Sequence, residues 1–274
     1  MIVSMIGALV VAGSYLLISL DRARATERAV DLELVLAADI SDSMDAEEAA
    51  LQRSGFANAI RHPEVIAAIQ GGALGRIAVT YVEWAGEHIQ RTVVDWHEIS
   101  DAASAGTFAR AIGQPSMTTE TWTKYTSISA LIASAARSFE GNRFEGHRRI
   151  IDIAGDGPNN RGAYVVDARD RAVADGITIN GLPIVNDRPD PWGYPPLPDL
   201  DLYYEDCVIG GPGAFIVVAN GFQDFARAIR RKLLLEIPLS TPLVPLLQFV
   251  SSRIRPPCDA GEKQLPPDWM YDFN

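Results

Sequence analysis

Residues 30–43 read VDLELVLAADISDS, an apolar run that ends abruptly in a carboxylate and a cluster of hydroxyls. Within Val30 to Ala38 the leucines Leu32, Leu34 and Leu36 alternate with other residues, a period of two that suits a short, buried strand ending at Asp39. The next segment, Asp45 to Arg61, carries Ala49, Phe56 and Ile60 at helical spacing. It opens with Asp45, Glu47 and Glu48, where negative charge suits the positive end of the helix dipole. Strand, polar turn, helix is the opening of an α/β unit.

Working outward, the pattern repeats. Arg76 to Trp84 and Ile89 to Trp96 are β-branched and aromatic, and Ala85-Gly86-Glu87-His88 between them reads as a hairpin that adds an antiparallel edge. Ser100 to Gly113 and Ser127 to Phe139 are Ala-rich helical stretches. Arg149 to Ala154 (RIIDIA) is a compact apolar strand followed by Gly155 and Gly157. Ala163 to Asp175 reads as a helix stopped by Gly176, and Ile177 to Val185 as the strand after it. A long Pro-, Asp- and Tyr-rich connection runs from Asn186 to Pro212, before a strand over Ala214 to Val218 and a helix over Phe222 to Glu236. This alternation predicts a doubly wound α/β fold: a mostly parallel central sheet with one antiparallel edge strand and helices on both faces. No internal repeat is present. Residues 30–238 form the expected domain. The prolines at 242, 245, 256, 257, 266 and 267 make residues 239–274 an expected irregular, Pro-rich tail.

Of the 274 residues, 47% are apolar and 22% charged, an ordinary globular composition with length for one full core. The formal charge of −11 tells against nucleic acid as a partner, because affinity for phosphate backbones rests on Lys and Arg. Met1 to Leu20 has no charged side chain and meets Asp21-Arg22-Ala23-Arg24-Ala25, whose small-x-small ending fits signal-peptide cleavage before Thr26. The rival reading of residues 1–25 is an uncleaved membrane anchor, since about 20 apolar residues are long enough to span a bilayer. Either reading places the body of the protein outside the cytoplasm, in the periplasm or extracellular space. There, Cys207 and Cys258 are two free thiols or a disulfide, which an oxidising compartment permits.

In open α/β sheets, ligands sit at the carboxyl ends of the strands. Two such ends stand out: Asp39-Ile40-Ser41-Asp42-Ser43, and Gly155-Asp156-Gly157 after the RIIDIA strand. All candidate donors are oxygens, which hard cations such as Mg²⁺ prefer. The bland alternative makes Ser41 and Ser43 helix caps and Asp156 an ordinary turn residue. His62, His88, His97 and His147 show no metal-ligand spacing, and Gly210-Gly211-Pro212-Gly213 reads as a turn rather than an anion cradle. The Trp and Tyr residues of Trp192 to Tyr204 either line a binding surface or pin their loop down by burial.

Asp-x-Ser-x-Ser after the first strand, a Thr ahead of a small-residue helix and an Asp after a later strand resemble the metal-ion-dependent adhesion site (MIDAS) of von Willebrand factor A-type (vWA) domains. Thr126, in Thr126-Ser127-Ile128-Ser129-Ala130-Leu131, best matches the metal Thr, with Thr123 the fallback because the usual preceding Gly is missing. The resemblance covers Asp31 to Glu236. The strings RRIIDIAGDGPNN (Arg148 to Asn160) and YYEDCVIGGPGAF (Tyr203 to Phe215) are similar to a bacterial exported vWA subgroup catalogued as domain of unknown function 1194. It implies that Ser41, Ser43 and Thr126 hold a divalent metal through hydroxyls, with Asp39 and Asp156 binding directly or through water. The metal would be Mg²⁺, with Mn²⁺ or Ca²⁺ as alternatives, and a position would stay open to a carboxylate of a protein partner. Gly155 departs from the family, standing where many vWA domains have Thr, and Asn186 to Pro212 has no assignable counterpart in the wider fold. The leading expectation is an exported, non-enzymatic, metal-dependent binding module. The alternatives are a metal-dependent hydrolase and a structural subunit with a stabilising metal. Ser at position 41 is not the second Asp of an Asp-x-Asp phosphatase motif, and no Gly-x-Ser-x-Gly elbow is present.

Overall fold

Strand β2 (Glu33–Asp39) is buried along its whole length, and its alternation sorts side chains onto two apolar layers. Leu34, Leu36 and Ala38 enter one layer, Val35 and Ala37 the other. A strand apolar on both faces belongs in the middle of a sheet covered on both sides. A computed structural model places it there; it describes residues 27–114, 123–189, 193, 195–237 and 253–264. The expectations for residues 1–25, for Trp192 and for most of residues 239–274 lie outside the described residues.

Six strands form the main sheet: β2, β3 (Ile77–Trp84), β4 (Gln90–Ile99), β6 (Arg149–Gly155), β7 (Ile177–Val185) and β8 (Ala219–Asn220), in the order β4-β3-β2-β6-β7-β8. Only β4 runs antiparallel, paired with β3 across the hairpin, and it forms one edge. In register, Asp39 faces Trp84 on β3, and Ala38 faces Ala154 on β6, so both acid-bearing turns emerge at the same end of adjacent parallel strands.

One face is covered by α1 (Ala46–Ile60), α2 (Pro63–Gln70), α3 (Ala102–Ile112) and, after residues 113–224, the helix over Phe225–Glu236. The other is covered by α4 (Ile128–Ser138), α5 (Val165–Ala174) and the short α6 (Leu200–Tyr203), and Phe225–Glu236 is therefore α7. Their starts have chemical causes. Asp45 and Glu48 close a capping box on α1, Asp101 and Ser104 close another on α3, and Ser127 caps α4 by accepting from the Ala130 N–H.

The structure departs from the sequence expectation in four places. Helix α2 was not foreseen; Pro63 stands at its first position, where its missing N–H costs nothing. A small parallel pair joins β1 (Arg28–Val30) to β5 (Phe144–Gly146). The Asn186 to Pro212 connection contains α6 and a π-helical turn over Tyr204–Val208. The strand expected over Ala214 to Val218 shrinks to a bridge between Ile216 and Gly181, and pairing resumes only in β8. One reason is visible at Phe215, whose N–H donates to the Asn180 side chain (3.0 Å) rather than to a neighbouring strand.

The Pro-rich C-terminal region is docked where it is described. Cys258 is disulfide-bonded to Cys207, with Cα atoms 5.4 Å apart, and α8 (Ala260–Gln264) follows. No described helix is long and apolar enough to cross a membrane.

Candidate metal centre

Asp39, the last residue of β2, is completely buried, and its Oδ1 accepts the N–H of Ser41 at 2.8 Å. That bond curls the turn so that Ser41 and Ser43 face inward. Ser41 Oγ and Ser43 Oγ are 3.0 Å apart, and Ser43 Oγ donates to Asp156 Oδ1 at 2.7 Å. Asp156 follows β6, and its register beside β2 brings it across. Neither serine makes a helix-capping bond: Asp45 caps α1 instead. The structure thus favours the convergent arrangement over the capping one.

Thr126 is buried just before α4, its N–H donating to Asn160 Oδ1 at 2.8 Å while its carbonyl accepts the Asn160 N–H at 2.9 Å. Its Oγ1 lies toward the Asp156 turn, 3.9 Å from where a Cβ on Gly157 would stand. Thr123, the alternative, is differently employed. Its carbonyl accepts the Asp42 N–H at 3.0 Å and its Oγ1 accepts the Tyr125 N–H at 3.2 Å.

The electrostatics are those of two carboxylates brought close together in a buried oxygen cluster. Burial, and then the negative charge of Asp156, push the Asp39 carboxyl up to about 8. Asp39 Oδ2 is buried with no hydrogen-bond partner. Such an orphaned acceptor is costly unless something satisfies it, and a divalent cation would. Among the described residues no three His, Cys, Asp or Glu side chains gather as a metal site. The donors available here are two carboxylates and three hydroxyls, a hard set that fits Mg²⁺ better than a thiolate-seeking metal.

Asn159 and Asn160 escaped the sequence reading, and Tyr204, one of the aromatic residues expected to line a surface or to pin its loop, takes the buried role. Tyr204 is wholly buried, and its phenol oxygen would lie 2.8 Å from a Cβ on Gly155, while Asp39 Oδ2 would lie 3.0 Å from that Cβ. Tyr204 therefore fills the space in which a larger residue at position 155 would stand. Burial, and then the charges of Asp39 and Asp156, push its phenol well above the ordinary value. Asn159 and Asn160 brace the site from the other side. Asn160 holds Thr126, and Asn159 Oδ1 accepts the Ser129 N–H (2.9 Å) while its own N–H donates to Tyr203 Oη (3.1 Å). No local spacing links Tyr204 to Asp39. The two asparagines, however, lie directly after a strand-end acid, where such partners are to be sought.

The family model described as protein of unknown function (DUF1194) matches residues 29–241. The chain belongs to this family. No curated protein matches the DUF1194 chain significantly. Among solved structures it is similar to proximal thread matrix protein 1 from the mussel byssus (TM-score 0.53, 16% identity, 77% of this chain and 49% of that one). A form of that protein with a zinc-occupied MIDAS motif also matches (TM-score 0.51, 14% identity, 77% and 48%). So does the pilus adhesin SpaC from Lactobacillus rhamnosus GG (TM-score 0.52, 10% identity, 77% and 32%). At these identities the likeness is one of fold, and this chain spans half or less of each. With the architecture above, the DUF1194 chain has a vWA-type α/β fold.

Proposed function

We propose that this chain is a metal-dependent binding module, in which Asp39, Ser41, Ser43, Thr126 and Asp156 hold Mg²⁺ and a carboxylate on a protein partner completes the coordination. The observation that carries the reading is the buried, partnerless Asp39 Oδ2 beside hydroxyls and a second carboxylate delivered by separate segments of the chain. The donor set of carboxylates and hydroxyls supports a hard cation such as Mg²⁺ over a thiolate-seeking one. The zinc-occupied MIDAS of the mussel protein is a further support, since it places a divalent ion in a protein of the same fold. Bound there, the metal would supply a Lewis-acidic position for an anionic group. This chain's own residues orient it: Asn160 fixes Thr126, and the Asp39–Ser41 bond fixes the first turn. We place the module outside the cytoplasm, where the Cys207–Cys258 bond is at home.

The test is a calorimetric titration of metal-stripped protein with Mg²⁺ and Mn²⁺, beside Asp39→Ala. Saturable binding in the wild type, lost in a folded Asp39→Ala, is the expected result; equal binding in both would overturn the site.

A further inference from the structure

A second constellation lies between β6 and α7, on one layer of the core and separate from the metal oxygens. Asp152 sits mid-strand, in register with Leu36 on one side and Asn180 on the other. Lys232 and Glu236, one turn apart on α7, descend onto it, and all three side chains are wholly shielded from solvent. Lys232 Nζ stands 2.7 Å from Asp152 Oδ1, in direct ion-pair contact. Nζ also contacts Glu236 Oε1, which accepts from Asn180 Nδ2 at 2.7 Å. The Phe215 ring, 5.2 Å from Nζ, closes the pocket.

Two carboxylates and one ammonium are shut away from water together, and the Arg148 guanidinium, which donates to the Glu236 carbonyl at 2.8 Å, is a further cation near Glu236. The Asp152 carboxyl is pushed up to about 8 by burial and then by the Glu236 charge, so it holds its proton at neutral pH. What remains is an un-ionised carboxyl against an amine that has a carboxylate at hand to take its proton. Those are the components of amide formation, held at contact distance. Proximity of this kind removes most of the entropic barrier to joining two groups.

We propose that Lys232 and Asp152 join as an intramolecular amide, with Glu236 moving the protons. Glu236 takes one proton from the Lys232 ammonium, and the freed amine attacks Asp152 Cγ, forming the N–C bond. A second proton passes from nitrogen, by way of Glu236, to the departing hydroxyl. The Cγ–O bond breaks and one water leaves. Three protons begin on the ammonium and one on Asp152; one ends on the amide nitrogen, two in the water and one on Glu236. No oxidant or reductant is involved. The product has no charge left in the pocket, and expulsion of water from a dry, apolar site draws the reaction forward. The bond would tie the last long helix to the central sheet.

The test is peptide mapping by mass spectrometry of the reduced, full-length protein. The expected result is a branched peptide in which the segment containing Asp152 is linked to that containing Lys232, one water lighter than the two together. Separate peptides at their own masses would overturn the proposal. Glu236→Gln keeps an oxygen acceptor for Asn180 but cannot take the proton, and it is expected to leave the peptides unlinked. Linkage in that variant equal to wild type would remove Glu236 from the mechanism. The wild-type map decides the linkage whether or not the variant folds.

Discussion

Asp39 gives the metal centre a signature in stability as well as in binding. Its folded carboxyl holds a proton up to about pH 8, whereas in the unfolded chain the proton leaves near the ordinary aspartate value of 3.8. The folded state therefore binds more protons between those values. The group's contribution is fully present below about pH 4 and is lost as pH rises toward about 8, by linkage a loss on the order of a few kcal/mol. Asp39→Asn cannot ionise, so the metal-free variant is expected to be more stable than wild type at pH 8 and little different at pH 4.5, read from urea unfolding. Mg²⁺ should reverse the order at pH 8 by stabilising only the wild type. A variant no more stable than wild type at pH 8 without metal would contradict this account of Asp39. A second expectation concerns Gly155. A methyl there meets Tyr204 Oη at 2.8 Å and Asp39 Oδ2 at 3.0 Å, so Gly155→Ala is expected to cost about 1–3 kcal/mol and to weaken Mg²⁺ binding. Tyr204→Phe removes the nearer atom and should return part of that loss in the double variant. Simple additivity in such a double-mutant cycle would mean that the phenol does not occupy the position-155 space.

At the scale of elements, what was legible followed from periodicity, and what was not followed from long-range partners. The strand over Val30 to Ala38, the hairpin and the helices after them were readable because burial on fixed faces imposes fixed spacings. Asp39, Ser41, Ser43 and Asp156 stood out as candidates because they follow strand ends, whereas Thr126, ahead of α4, was named only through the resemblance to vWA domains. The strand expected over Ala214 to Val218 failed because its pairing competes with a side chain, Asn180, that comes from β7. Tyr204 could not be foreseen from neighbours in sequence, since it reaches Gly155 from a π-helical turn. The Asn159-Asn160 pair lies between these cases: visible in the string, but given a role only by the approach of α4. Because Asn160 acts on Thr126 through the backbone, Asn160→Ala should lower Mg²⁺ affinity roughly 10-fold or more while leaving every proposed ligand in place. Titration against wild type checks this, and unchanged affinity would make the Asn160 bond purely structural.

Across the whole molecule, the described C-terminal segment acts as a strap over the loop that carries Tyr203 and Tyr204. Arg253 pairs with Asp199 and Asp201, and Arg255 with Glu205 and Asp206, but these pairs are partly exposed and contribute little each. Glu262 accepts from Asn159 Nδ2 at 2.8 Å, joining the strap to the turn that braces Ser129 and Thr126. The firm fastening is the Cys207–Cys258 bond, which closes a loop with a sequence separation of 51. Chain entropy for a loop of that size corresponds to roughly 4 kcal/mol of stabilisation through the unfolded state. Reduction, or Cys258→Ser, is therefore expected to lower the urea midpoint clearly, with the slope of the transition as a check on whether the unfolded state expands. The metal centre should feel it too. Tyr203 Oη accepts the Asn159 N–H at 3.1 Å, so loosening the 200–208 segment slackens the hold on the turn beside Asp156. Mg²⁺ affinity should fall in the reduced protein, even though no proposed ligand has been touched. A lowered midpoint with unaltered affinity would confine the strap to stability; a fall in both would make the C-terminal segment part of the binding module.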